Sequence, residues 1–347
     1  MRHGGDIYSD TITYDFSVNL NPVDTTEIVS RILRVGEHTL RHYPDIEQRQ
    51  FREAIALVEK VDAEEIWGGN GASELLMAIT AMIHPGKAML VIPCFNGYRH
   101  VLARFPQCEI MEYALQSDKE FLLGEDFLQV LEYHAKQGLQ LLFLTNPNNP
   151  TGRTIPKEIL LKMYEICKTY GVKIILDECF IRMTHTGFSM TEYIQEYAGL
   201  FIVNAYTKLF SIPGIRTGYV VTNRSNIHTL KQYLPEWNMS VLAQSAGVIC
   251  SRFLRDTGWI TKTLQEIERQ REYLSSALTK LGIQVYKSDT VFLLCYTKEN
   301  LYTYLKEKKI LIRDCSDYKG LDKGFYRIAV KNATDNQVLI ETLEAKK

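Results

Sequence analysis

Lys208 lies eight positions before Arg216 in Thr207-Lys208-Leu209-Phe210-Ser211-Ile212-Pro213-Gly214-Ile215-Arg216, directly after the apolar run Leu200 to Val203. A lysine that leaves a sheet edge into a crevice can form an imine with an aldehyde, and an arginine brought back by a turn can hold an anion. A lysine after a buried strand is also a common solvated loop residue, so its neighbours must decide. Asp177 closes the run Ile174-Ile175-Leu176 and carries a carboxylate to the same edge, where it would hold a protonated nitrogen or cap a turn. In Trp67-Gly68-Gly69-Asn70-Gly71-Ala72-Ser73-Glu74, backbone amides at Gly71 and Ala72 and the Ser73 hydroxyl would face an anion at a helix start, which a plain capped helix would also produce. Asn146-Pro147-Asn148-Asn149-Pro150-Thr151-Gly152 fixes a loop with prolines and leaves asparagine amides to donate, although the same residues form ordinary turns.

A lysine, a strand-end carboxylate and an anion cup are the parts that pyridoxal phosphate needs from a protein, and that cofactor is an electron sink for chemistry at an amino-acid α-carbon. No sequence-specific metal pattern competes, since the seven cysteines form no CxxC pair.

The elements that must position these residues follow from hydrophobic rhythm. Between about Glu64 and Asn223, short apolar runs at Ala88 to Pro93, Leu139 to Thr145, Val172 to Leu176 and Leu200 to Val203 alternate with amphipathic stretches. That is the pattern of βαβ units on a mostly parallel sheet, whose carboxyl ends bind ligands. From Asn226 to about Leu281 the pattern is helical, and VFLLCY and FYRIAV then read as strands. The expected architecture is α/β: a large domain at 45–225, with a connecting helix and smaller α+β domain at 226–347 that the N-terminal arm at 1–44 completes.

Composition narrows the partners. The 347 residues are 46% hydrophobic and 23% charged, with 40 Lys plus Arg against 41 Asp plus Glu, so no basic field attracts nucleic acid or anionic lipid. The scattered cysteines and the absence of an apolar leader in MRHGGDIYSDT lead us to expect a cytoplasmic protein without a membrane span.

In order and spacing these residues resemble the fold-type I pyridoxal-phosphate enzymes of the class I/II aminotransferase group, over nearly the whole chain. The resemblance implies that Lys208 holds the cofactor as an imine, Arg216 binds its phosphate with Gly71, Ala72 and Ser73, and Asp177 holds its ring nitrogen. It further implies that Asn149 contacts the ring oxygen and Phe95 stacks on the ring. Ala205 replaces a phosphate-binding serine, for which Thr207 would partly substitute, and Phe180 replaces a tyrosine that touches the ring oxygen. His42-Tyr43-Pro44-Asp45 looks like the segment that sends Tyr43 to the partner subunit's cofactor, which implies a homodimer with shared sites.

Within the group, four segments resemble the threonine-phosphate decarboxylases of cobalamin biosynthesis and, next, the histidinol-phosphate aminotransferases. They are His3-Gly4-Gly5, Asp15 to Pro22, Asp177-Glu178-Cys179-Phe180 and Ile310 to Val330. This resemblance implies substrate contacts from Arg327 to a carboxylate, Arg313 to a phosphate, and His3 and Asn19. For Arg313 the residues alone also allow an ion pair with Asp314 or another surface acid. The expected activity is decarboxylation of O-phospho-L-threonine to aminopropanol phosphate through an aldimine and a quinonoid, with a histidinol-phosphate type transamination as the alternative. A cofactor-binding scaffold without activity is a third reading, raised by Phe180 and Ala205.

Overall fold

The computed structural model describes residues 4–346. The strands are β1 (Tyr14–Asp15), β2 (Ile66–Asn70), β3 (Lys87–Ile92), β4 (Glu109–Ala114), β5 (Leu141–Thr145), β6 (Lys173–Asp177), β7 (Leu200–Asn204), β8 (Thr217–Val221), β9 (Gln284–Val285), β10 (Phe292–Tyr296), β11 (Ile310–Leu311), β12 (Arg313–Asp314) and β13 (Phe325–Ala329). Seven of them form a central sheet in the order β2-β8-β7-β6-β5-β3-β4. β8 runs antiparallel to both neighbours, and the other pairings are parallel. β5, β7 and β8 are buried at every residue, as expected of continuous apolar strands covered by helices on both faces.

Register places the chemistry. Thr145 pairs with Asp177, and Asp177 with Val203, so the carboxyl ends of β5, β6 and β7 lie side by side. The short helix Tyr206–Leu209 begins just beyond β7 and carries Lys208 off that edge.

A second, antiparallel sheet has the order β12-β13-β10-β9. The N-terminal arm pairs β1 with β11 in parallel as a separate two-stranded sheet, and Phe16 ties it to the four-stranded sheet by donating to Leu311 O and accepting from Ala329 N of β13. One contiguous apolar cluster connects this sheet to a face of the central one. The helical stretch expected from Asn226 resolves into Arg224–Leu230, Val241–Asp256 and Trp259–Lys280, with the last two separated at Gly258, whose φ of +63° breaks the run. Trp259 then stacks on Phe210, at 5.4 Å between ring centres, tying the long helix to the Lys208 turn.

Helix Val241–Asp256 packs on helix Arg49–Glu59 through a close approach at Gly247, where an added Cβ would overlap the ring of Phe51. Phe51 is itself 1% exposed and cannot retreat. Gly247→Ala should therefore destabilise the protein despite a gain in helix propensity of about 1 kcal/mol, because overpacking costs about 1–3 kcal/mol. Chemical denaturation would show a lower midpoint; a raised midpoint would reject this account of the helix contact.

Candidate active site

Lys208, half-buried, opens into a cavity of about 260 Å³ between the two sheets. Burial and the nearby charges of Arg327 and Arg216 lower its amine to about 8, against the pull of Cys179 and Asp177. Its carbonyl accepts from Asn21 N at 3.0 Å, and Asn21 Nδ2 donates to Leu209 O at 2.7 Å and to Thr263 Oγ1 at 2.9 Å. The N-terminal arm thus straps down the turn that carries the lysine.

Asp177 is buried at the end of β6. Burial raises its pKa, while hydrogen bonds from Cys179 and Tyr98 and the charge of Lys208 oppose the rise. Tyr98 Oη donates to Oδ2 at 2.8 Å, and Cys179 N to Oδ1 at 3.0 Å. Thr145 Oγ1 lies 2.6 Å from the same tyrosine hydroxyl. A carboxylate so placed is short of positive charge, and a cationic ring nitrogen would supply it.

Arg216 returns through the turn Pro213–Ile215 and adopts a left-handed φ of +60°. Its guanidinium lies against Gly71, where a Cβ would come within 2.5 Å of Nη2, so glycine is required there for the arginine to reach the start of helix Ala72–Ile83. Arg216 donates to Pro213 O at 3.3 Å and to Asn70 O at 3.5 Å, while Ala72, Ser73 and Thr207 line the cavity with it. Together they form a cradle with a guanidinium, hydroxyls and a helix N-terminus.

The opposite wall comes from the second sheet. Arg313 and Arg327 are direct partners across the antiparallel β12–β13 pair, which places both side chains on one face. Arg327 Nη1 donates to Asn149 Oδ1 at 2.5 Å and Nη2 to Ser17 O at 2.7 Å, while its buried Nε has no partner. Arg313 pairs with Asp317 at 2.6 Å, donates to Asp314 O at 2.6 Å and lies over the ring of Tyr318. The ion pair left open by the sequence is thus made, with Asp317 rather than with the Asp314 carboxylate, and Arg313 still lines the cavity.

The cavity collects Asn19, Ala72, Ser73, Phe95, Asn149, Asp177, Phe180, Ala205, Thr207, Lys208, Arg216, Arg313 and Arg327. Gly71 stands behind Arg216. Tyr43 lies elsewhere, 82% exposed and against Trp237. His3 lies outside the described residues. Asn19 is 3% exposed, and its Oδ1 has no partner, which leaves an acceptor at the cavity wall. Phe180 presents a ring edge to Phe292 and brings no hydroxyl. Sequence reasoning missed Tyr98, Thr145, Asn21 and Asp317. The signal for Tyr98 was Gly97, where a Cβ would overlap the Phe95 ring, so the Phe95-Asn96-Gly97-Tyr98 string is built for two aromatics meeting at 5.5 Å.

Comparison with known proteins places this geometry. A family model described as aminotransferase class I and II matches residues 11–343. The chain belongs to that family. Its members are pyridoxal-phosphate enzymes, and this chain is accordingly a pyridoxal-phosphate-dependent enzyme. The chain is 30% identical to a threonine-phosphate decarboxylase of Salmonella typhimurium over 335 residues, 95% of this chain and 90% of that protein. Among solved structures, a histidinol-phosphate aminotransferase from Clostridium acetobutylicum superposes with TM-score 0.86 at 28% identity, covering 96% of this chain and 99% of that one. An L-threonine-O-3-phosphate decarboxylase from Porphyromonas gingivalis gives 0.83 at 25% identity, with the same coverage. The fold-type I architecture expected from the sequence is therefore the observed one.

The residues present fit the family's cofactor: a buried carboxylate in need of a cation, a lysine whose amine is freed by burial, and an anion cradle whose arginine requires Gly71. Because the lowered amine loses its proton near pH 8 rather than above 10, its neutral nucleophilic fraction rises through that range. Reductive trapping of a small aldehyde on the apoprotein, followed by peptide mapping, should label Lys208 with a pH midpoint of about 8. A midpoint at the ordinary lysine value would refute the assigned electrostatics.

Proposed function

We propose that this enzyme acts on a small phosphorylated amino acid and decarboxylates O-phospho-L-threonine to aminopropanol phosphate. The observation that carries the reading is the pairing of Arg313 with Arg327 across adjacent strands on one wall of the Lys208 cavity. Two neighbouring guanidinium groups suit a substrate with two anionic groups a few bonds apart, a carboxylate and a phosphate. The similarity to decarboxylases named for threonine phosphate supports the same reading.

When bound, pyridoxal phosphate supplies the electron sink for the bond broken at the α-carbon. Lys208 Nζ would attach it, Asp177 would hold the proton on its ring nitrogen, and Asn149 and Phe95 would line the ring's place. The cradle of Gly71, Ala72, Ser73, Thr207 and Arg216 would hold its phosphate. Arg327 grips the substrate carboxylate, Arg313 its phosphate, and Asn19 lines the same pocket. By fixing both ends, the arginines orient the bond to the carboxylate for cleavage. The carboxylate departs as carbon dioxide, and a proton delivered from Lys208 Nζ or water takes its place on the α-carbon.

The second reading is a histidinol-phosphate type transamination, favoured by the closer superposition on the aminotransferase structure. There Lys208 would move the α-proton instead. In either case the reading includes a homodimer in the cytoplasm. Tyr43 at 82% exposed, Leu40 at 65% and Trp237 at 45% offer an apolar surface for the second subunit. It also divides the chain at 1–44, 45–225 and 226–347, with support from the pairing of β1 with β11.

Incubation with O-phospho-L-threonine should release carbon dioxide and aminopropanol phosphate, identified by mass. Glutamate formation from histidinol phosphate and 2-oxoglutarate, with phosphothreonine untouched, would reject decarboxylation. Arg313→Ala should raise KM for the phosphorylated substrate roughly 10- to 100-fold, the worth of charge-assisted hydrogen bonds. Asp317→Asn should instead lower that KM with little change in kcat, since it frees Arg313 from a competing carboxylate. An unchanged KM in both variants would remove Arg313 from the substrate.

A further inference from the structure

The glycines of Trp67-Gly68-Gly69-Asn70-Gly71 are not all explained by the cofactor cradle. Gly71 makes room for Arg216, and Gly69 for Leu75. Gly68 serves something else. β2 is an edge strand, paired only with β8, and Gly68 turns its N–H and C=O to the open side. Both groups are taken by side chains. Gln48 Oε1 accepts from Gly68 N at 2.7 Å, and its Nε2 donates to Gly68 O at 3.3 Å, while Asn238 Nδ2 donates to the same carbonyl at 3.0 Å. A Cβ on Gly68 would lie 2.2 Å from Met239 Sδ and 2.6 Å from both Gln48 Oε1 and Phe51 Cε1, so glycine is needed there for the amide and for the side chains packed beside it.

The contacts continue toward the cradle. Gln48 Nε2 donates to Asn238 Oδ1 at 2.9 Å, and Asn238 Nδ2 donates to Glu74 Oε2 at 2.9 Å. The same Glu74 oxygen accepts from Asn70 N at 2.7 Å, and Asn70 O accepts from Arg216. Gln48 is 2% exposed and holds a left-handed φ of +51°, and Trp237, next to Asn238, holds +50°. Non-glycine residues keep that conformation only where surrounding contacts enforce it. The relay thus runs from Gln48 through Asn238, next in sequence to Trp237 of the Tyr43–Trp237 ring pair, and ends on Asn70, just before the first turn of helix Ala72–Ile83.

We propose that Gln48, Asn238 and Glu74 are positioning residues that set the anion cradle at 70–73 and Arg216, and so tune affinity for the cofactor's phosphate. None of them touches the cavity, and each acts through the backbone of Gly68 or Asn70. The proposal rests on the reading of Arg216 as the phosphate ligand.

The test compares binding of pyridoxal phosphate with that of pyridoxal, which lacks the phosphate, by titrating the full-length apoprotein and following the visible absorbance. Asn238→Ala and Glu74→Ala should weaken pyridoxal phosphate about tenfold and leave pyridoxal unchanged, as loss of one or two hydrogen bonds at the cradle predicts. Glu74→Gln should stay within about twofold of the parent, because one amide oxygen can keep both bonds. Glu74 is half-buried, so its variants do not depend on the apolar core. Equal weakening of both ligands would make the relay ordinary packing and overturn the proposal, as would no change in either. Arg216→Ala is the benchmark: if it too leaves the ratio of affinities unchanged, the cradle itself is misassigned, whereas a selective loss there with none in the relay variants rejects the relay alone.

Discussion

A carboxylate buried at the end of a central strand is the constraint around which the rest of the site is arranged. Asp177 could not be kept there without partners, because an uncompensated buried charge costs several kcal/mol. Its neighbours each meet part of that demand: Tyr98 donates from helix Asn96–Leu102, Cys179 donates from the backbone two residues on, and Lys208 stands near as a cation. The compensation is incomplete, since burial still raises the acid. What remains is a demand for positive charge at one point of the cavity, and it selects for a ligand with a cationic nitrogen. Lys208 answers to the same field, because burial and two arginines favour its neutral form, and neutral amine is the form that reacts with an aldehyde.

The central sheet supplies the carboxylate and lysine, and the two arginines of the opposite cavity wall come from the second sheet. Arg327 crosses between them: it donates to Asn149 on the loop after β5 and to Ser17 on the N-terminal arm, partners separated by 178 and 310 positions in sequence. The arm is therefore structural as well as local. It pairs with β11, bonds β13 through Phe16, and clamps the Lys208 turn through Asn21. Movement of one sheet against the other would change the spacing of Arg327 and Lys208, and the arm is the strap that limits it.

Much of this was legible from sequence, for a physical reason. Strands buried on both faces are continuous apolar runs, so β3, β5, β6 and β7 could be placed within one or two residues, and with them the edge where Asp177 and Lys208 emerge. Residues that act from a strand end or from a glycine-marked turn carry their own local signal. Asn21 and Gln48 carry none, because their roles depend on partners 188 and 20 positions away and their residue types are ordinary in helices and loops. The helical region after Asn226 was read too simply for a related reason: periodicity reports a buried face, and three successive helices burying faces on one core look continuous until Gly258 breaks them. For Arg313 the sequence left an ion pair and a ligand role as alternatives; the structure makes the ion pair, with Asp317, and places the arginine at the cavity wall.

That last arrangement bears on how one set of residues can serve either of two reactions. In the roles proposed for them, Lys208, Asp177 and the cradle would stabilise charge on the cofactor whichever bond breaks, so they would not discriminate between loss of carbon dioxide and loss of a proton. Discrimination has to come from the angle at which the substrate is held. Arg327 is buried and bonded at two nitrogens, whereas Arg313 is held by a partly exposed acid that a phosphate could displace. In the proposed reading, the buried arginine would define where one end of the substrate sits, and the exchangeable one how far the other end must rotate to reach it. In the proposed reading, the choice of reaction would follow from the distance between a substrate's two anionic ends, measured against two arginines that face each other across β12 and β13.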